Sequence, residues 1–221
     1  MWDLAQDMKT KTLEENLFIL NFSCLGDWEK VTQGGPCNFR GNAVLFAPYD
    51  GFTKPSAIDL NSFDVWIQIH DLPFGYRSMI KSLSSKVGKF LHAEIPPDDF
   101  AGNFIRVRVT LDVRTPLRNH VSISRAGKRE IFLVKYERLP NLCAVCGMLG
   151  HTYKEHGDGI HPPIALVFKN LKQHGVCVNL SELIESMVEV GELMAQDGVA
   201  MEVTMILERA LMKRITITLR I

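Results

Sequence analysis

The sequence predicts an α+β protein, and three observations carry that class. Segments of period-two or continuous apolar character recur along the first two thirds. Two stretches instead show apolar residues at three- and four-residue steps. A short run of paired cysteines and histidines at 143–156 fits neither pattern. With 221 residues, 46% apolar and 23% charged, the chain has ordinary globular composition and can bury a sizeable core in one or two domains.

The elements follow in order. Leu17-Phe-Ile-Leu-Asn-Phe22 reads as a buried strand, Asp27 to Gln33 as a short helix stopped by Gly34-Gly35-Pro36, and Asn42 to Ala47 as a second strand before a Pro/Asp/Gly loop. Val65 to His70 alternates, as a strand with one buried face does, which makes Trp66 and His70 core or sheet-face residues. Ile80, Leu83, Val87 and Phe90 form one stripe and predict a helix over Arg77 to Phe90. Phe104 to Leu111 reads as a strand with Arg106 and Arg108 on one face and Phe104, Ile105, Val107 and Val109 largely on the other. Val121–Ser124 and Glu130–Tyr136 pair across the short loop Arg125-Ala-Gly-Lys128. Leu180, Leu183, Ile184, Met187, Val190, Leu193 and Met194 predict a helical tail that begins near Ser181, serves as core or partner-helix surface and offers a means of self-association.

The run at 143–156 carries chemistry. Cys143-x-x-Cys146, four residues, His151, four residues, His156 places four donors suited to a tetrahedral Zn²⁺ site within one short loop. Gly147 and Gly150 permit the backbone to turn around an ion. A loop this small buries no core, so the metal supplies most of its folding free energy. His161 is a reserve for the fourth corner, and Glu155 or Asp158 would substitute poorly. The competing readings are a metal-free relic and a redox pair. The latter normally opens a helix in a βαβ pattern, whereas Pro140 lies just ahead here and no such pattern surrounds the cysteines.

This spacing resembles the CCHC zinc knuckle of retroviral nucleocapsids and many RNA-binding proteins. The approach Val134-Lys-Tyr-Glu-Arg-Leu-Pro-Asn-Leu-Cys143 is similar to a plant version that follows an uncharacterised domain of LINE-type retroelement first open reading frames and their domesticated relatives. Asp27-Trp28 through Gly34-Gly35-Pro36, Asp64-Val-Trp-Ile-Gln-Ile-His-Asp-Leu-Pro73, Lys86-Val-Gly-Lys89, Phe104-Ile-Arg-Val-Arg-Val109, and Lys154 to Gly159 with His161-Pro-Pro163 share in the resemblance, which spans roughly residues 2–170. It implies an RRM-like, ferredoxin-like partial sheet over 1–138, truncated before Trp2, and a zinc knuckle at 139–163. Residues 164–221 would then be a tail outside the family pattern. Three departures stand out. His156 takes the place of the family's last Cys, Ala144 that of a base-stacking aromatic, and Cys37 that of a Trp. Met148 and Tyr153 are then the large side chains left for stacking.

Formal net charge is zero, but its distribution is not even. Residues 101–140 hold nine basic side chains (Arg106, Arg108, Arg114, Arg118, Arg125, Lys128, Arg129, Lys135, Arg138) against Asp112, Glu130 and Glu137, a surplus of 9 − 3 = +6 just before the knuckle. Screening beyond about 8–10 Å lets such a segment meet phosphates inside a neutral chain. Solvated strand faces that block aggregation are the competing reading.

The function expected is therefore zinc-dependent binding of single-stranded RNA or DNA. Cys143, Cys146, His151 and His156 would hold the metal, and Arg125, Lys128, Arg129, Arg138 and Lys154 would meet phosphates beside Met148 and Tyr153. The alternative is a domesticated protein-interaction module. No catalytic arrangement is found. Asp98-Asp99 stands isolated, and four protein donors leave no open metal position. Five cysteines at irregular spacing, no membrane-length apolar run and no signal-like N-terminus place the chain in the nucleus or cytosol, with no membrane and no small-molecule substrate.

Overall fold

The computed structural model describes residues 3–14, 16–39, 41–95, 103–168 and 201–207. It is a mixed α/β protein made mostly of strands with few helices. Packing divides the chain into two compact units, residues 1–61 with 175–221 and residues 62–174. These limits run along different lines from the motif-based division at 138 and 163, because the knuckle packs with the strands that precede it.

The first unit holds strands β1 (Met8–Glu14), β2 (Leu17–Phe22), β3 (Cys37–Phe39) and β4 (Asn42–Phe46) and helix α1 (Leu25–Gln33). A late strand, Met201–Leu207 (β10 once the strands of the second unit are numbered), completes one sheet in the order β1-β2-β10-β4-β3, with every neighbour antiparallel. β2 is buried on both faces at Leu17, Phe18, Ile19, Leu20 and Phe22, as its continuous apolar run requires. α1 buries Val31 and Asp27, and the Asp27 carboxylate accepts the N–H groups of Ala5 and Gln6 at 2.8 and 2.9 Å.

Met201–Leu207, beyond the helical stripe of the tail, is a strand that fills the gap between β2 and β4 and pairs with both. The helical stripe from Leu180 to Met194, and any self-association through it, lies outside the described residues.

The second unit centres on β5 (Ser62–His70). With β6 (Lys89–Glu94), β7 (Phe104–Asp112), β8 (His120–Arg125) and β9 (Lys128–Tyr136) it forms an antiparallel sheet ordered β6-β7-β5-β9-β8. Alternation sends Val65, Ile67 and Ile69 of β5 and Ile105, Val107, Val109 and Leu111 of β7 into the core. Tyr76, Ile80 and Leu83 are buried with them on a short helical layer. Ile67 is 0% exposed at the centre, so Ile67→Ala should destabilise the unit by about 3 kcal/mol, read as a lower urea midpoint with unchanged slope.

Two corrections concern this unit. The helix expected over Arg77 to Phe90 is instead a 3₁₀ turn at Phe74–Met79, helix α2 at Ile80–Ser84, and then strand β6, which contains Phe90. The hydroxyls of Ser84 and Ser85 donate to the Ile80 and Lys81 carbonyls, and the Val87 and Gly88 N–H groups close on Ser84. A side chain at Gly88 would lie 2.5 Å from the Thr110 carbonyl oxygen, so the chain must pass close there to pair β6 with β7. Strand pairing thus overrides a helical stripe. Phe104, half-buried, lies on the Arg106 face and not with Ile105.

The β8–β9 hairpin forms where expected. Ala126 (φ 48°) and Gly127 (φ 75°) take the left-handed conformations of a two-residue type I′ turn.

Candidate metal centre

The knuckle is a miniature hairpin that leaves the end of β9. Leu142 and Leu149 bridge antiparallel. The Cys143 N–H donates to the Met148 carbonyl and the Gly147 N–H to the Cys143 carbonyl, both at 2.9 Å, and the Gly150 N–H reaches the Asn141 carbonyl at 2.8 Å. This folds the two cysteines toward one point. A 3₁₀ turn, Tyr153–Glu155, then delivers His156. Its start is fixed by the Glu155 carboxylate, which accepts the Thr152 N–H at 2.6 Å and its hydroxyl at 2.9 Å.

The ligating atoms of Cys143, Cys146, His151 and His156 all lie within 4.8 Å of one another. His151 Nε2 stands 3.4 Å from His156 Nδ1, and Cys146 Sγ stands 3.5 Å from His151 Nε2. With Zn–N of about 2.0–2.1 Å and Zn–S of about 2.3 Å, a regular tetrahedron has N–N edges of about 3.4 Å and N–S edges of about 3.6 Å. The two edges fit zinc. Burial pushes the Cys146 thiol above its ordinary value; the Met148 backbone opposes this and the neighbouring Cys143 sulfur adds to it. A bound metal would hold both sulfurs as thiolates. Protons compete with the metal at each donor, so zinc affinity should climb steadily between about pH 6 and 8 in competition with a chromophoric chelator.

The reserve donors are engaged elsewhere. His161 Nε2 donates to the His156 carbonyl at 2.8 Å, and its ring packs 5.4 Å from that of His156. Glu155 closes the turn, and Asp158 accepts the Ile160 N–H at 3.0 Å. His156 is thus the fourth member of the cluster.

A clasp that no motif announced ties the knuckle to the sheet. The Leu117 N–H donates to the Gly147 carbonyl at 2.8 Å, the Val167 and Phe168 N–H groups donate to Ala144 at 2.8 and 3.2 Å, and Asn119 Nδ2 reaches the Val167 carbonyl at 2.8 Å. Leu117, Leu142, Ala144 and Phe168 are buried. The Tyr136 hydroxyl donates to the Arg118 carbonyl at 2.6 Å, which fixes the same corner. Gly147 (φ 74°) sits beneath the clasp, and a Cβ there would lie 3.1 Å from both the Leu117 oxygen and the Phe168 ring. Gly147→Ala should therefore cost about 1–3 kcal/mol, visible as a lower chelator midpoint for zinc loss.

The remaining sequence-predicted residues are distributed unevenly. Ala144, in the knuckle's stacking position, is covered by the 165–168 segment and offers no platform. Tyr153 and Lys154 are exposed and Met148 is half-buried, all on the knuckle; Arg125, Lys128 and Arg129 are exposed at the hairpin tip, and Arg138 (φ 53°) lies between. The structure also sorts the basic surplus. Arg106 pairs with Glu137 and Glu94, Arg108 with Asp64, and Arg114 with Asp112. Among the described residues no carboxylate pairs with Arg125, Lys128, Arg129, Lys135 or Lys154.

No curated protein and no solved structure matches the chain. Residues 111–156 match the family described as Zinc knuckle, of CCHC type, a span that includes the β8–β9 hairpin as well as the four donors. This stretch is a CCHC-type zinc knuckle with His156 at the last ligand position.

Proposed function

We propose that the chain is a zinc-dependent binder of single-stranded RNA or DNA, without catalysis, derived from a plant LINE-type retroelement protein and working in the reducing nucleus or cytosol. The RRM-like reading of residues 1–138 belongs to the same proposal. One observation supports it: within the stretch that matches the zinc-knuckle family, Arg125, Lys128 and Arg129 stand exposed together at the hairpin tip and Lys154 stands exposed on the knuckle, with no carboxylate partner among the described residues. Zinc's part is to hold that loop in shape, and Cys143, Cys146, His151 and His156 are the residues to hold it. Lys and Arg at such a surface release counterions from phosphates and make affinity depend on salt.

The test is fluorescence anisotropy of a labelled oligouridine from about 50 to 200 mM salt, with and without a zinc chelator. Affinity that falls steeply with salt and drops on chelation is expected. Zinc binding without salt-dependent RNA binding would instead favour the protein-docking module. That second reading has support of its own, since Ile160, Ile164 and Val167 are 81%, 88% and 51% exposed beside the covered Ala144.

A further inference from the structure

The outward face of the second sheet opposes the one covered by α2, and its central residues are neither core nor ordinary surface. Arg106 lies over the Trp66 ring, with its guanidinium carbon 4.1 Å from the ring centroid. Each of its three nitrogens donates to a carboxylate: Nε and Nη2 to Glu137 at 3.0 and 2.8 Å, and Nη1 to Glu94 at 3.1 Å. Gln68 donates to the same Glu137 at 2.9 Å. A planar cation held by its edges and backed by an indole has one direction left in which to interact, outward from its plane.

One same-face position from Arg106 along β7, about 7 Å, and two from Trp66 along β5, about 13 Å, Phe104 and His70 form a second ring pair at 5.2 Å. Beside these, on β9, Lys135 stands opposite Gln68 in register and is exposed, with no carboxylate partner among the described residues. The same face thus carries two flat surfaces in a row and an unengaged cation along one side. A strand that bears bases and phosphates at regular intervals satisfies both.

We propose that this sheet face is a stacking platform for single-stranded nucleic acid. One base lies on the Arg106–Trp66 stack, the next on the Phe104–His70 pair, and Lys135 meets the intervening phosphate. The proposal rests on the nucleic-acid reading above and extends it from the knuckle and hairpin to a second surface.

The test uses the full zinc-loaded chain with Trp2→Phe and Trp28→Phe, which leaves Trp66 as the sole indole reporter. An oligouridine of about twelve nucleotides is titrated while tryptophan emission and anisotropy are followed together. A saturable change in Trp66 emission that tracks the anisotropy is expected. Arg106→Lys keeps the charge but removes the plane, and should weaken binding roughly tenfold. Phe104→Leu, which keeps an apolar side chain in place, should do the same if stacking is what binds. Lys135→Ala, on an exposed position that the fold does not need, should reduce the log–log salt slope by about 0.7.

Oligouridine binding with a silent Trp66 and unchanged affinity in Phe104→Leu and Lys135→Ala would overturn the platform and leave the hairpin and knuckle as the binding surface. An equal response to poly-glutamate would overturn base stacking in favour of a general anion site. No binding by the parent chain would remove both this proposal and the function on which it rests.

Discussion

Cys143→Ser is expected to abolish stoichiometric zinc and to unravel more than the loop that carries it. Cys143 is 0% exposed, and its N–H and carbonyl form the two innermost hydrogen bonds of the knuckle. Metal binding in isolated fingers of comparable size supplies about 10–16 kcal/mol of apparent free energy near neutral pH. The clasp from Leu117, Asn119, Val167 and Phe168 is built on backbone atoms of Ala144 and Gly147, so it loses its anchor when the loop opens. Hydrogen exchange should therefore accelerate at the Leu117, Val167 and Phe168 amides as well as at Cys143, Gly147 and Gly150. The β5–β7 ladder draws its core from Val65, Ile67, Ile69, Val107 and Val109, so its protection should persist. Full retention of protection at Leu117 would show that the clasp stands without the metal. Collapse of the β5–β7 ladder would show that sheet and knuckle share one cooperative unit.

The second large effect belongs to the hairpin tip. Replacing Arg125, Lys128 and Arg129 together by alanine removes three exposed cations that no described carboxylate engages. Each phosphate contact with a single strand contributes about 0.7 to the log–log salt slope, or about 0.6 log units of affinity near 0.15 M salt. Three such contacts amount to roughly 50-fold in affinity and a slope shallower by about 2. Stability should change little, because the Ala126-Gly127 turn and the Val121, Ile123, Phe132 and Val134 side chains that hold the hairpin are untouched. An unchanged slope in the triple variant would mean that the tip does not meet phosphate, whatever the affinity does.

What could be read from the sequence follows from how local each signal is. The metal donors are legible because their spacing is itself the geometry: two residues between the cysteines and four between each later donor leave the loop few ways to close. The β8–β9 hairpin is legible for a similar reason, since Ala126-Gly127 lies between alternating flanks. The 77–90 helix misleads because Ile80, Leu83, Val87 and Phe90 keep a helical rhythm through residues that strand pairing and the close approach at Gly88 divert into β6. β1, Lys-Thr-Lys-Thr at its centre, has the charged polar texture of an edge strand and no apolar stripe to announce it. The clasp is illegible because Leu117 and Phe168 are single apolar residues whose meeting depends on the folded knuckle. The division of basic residues into paired and unpaired is likewise a property of the folded sheet, which brings Arg106 beside Glu94 and Arg108 within reach of Asp64 only once the strands are aligned.

The late strand of the first sheet has a consequence for the order of events during synthesis. β2 and β4 emerge from the ribosome by Phe46, but the strand that joins them begins at Met201. At about 5–20 residues per second the intervening stretch takes on the order of 10–30 s to translate. During that interval an apolar strand buried on both faces in the finished protein has one open side, whereas residues 62–174 already contain every strand of their own sheet. The inserted unit is therefore free to fold first, and the N-terminal unit last. Nascent chains arrested before Met201 should accordingly be the ones that recruit chaperones or aggregate through β2.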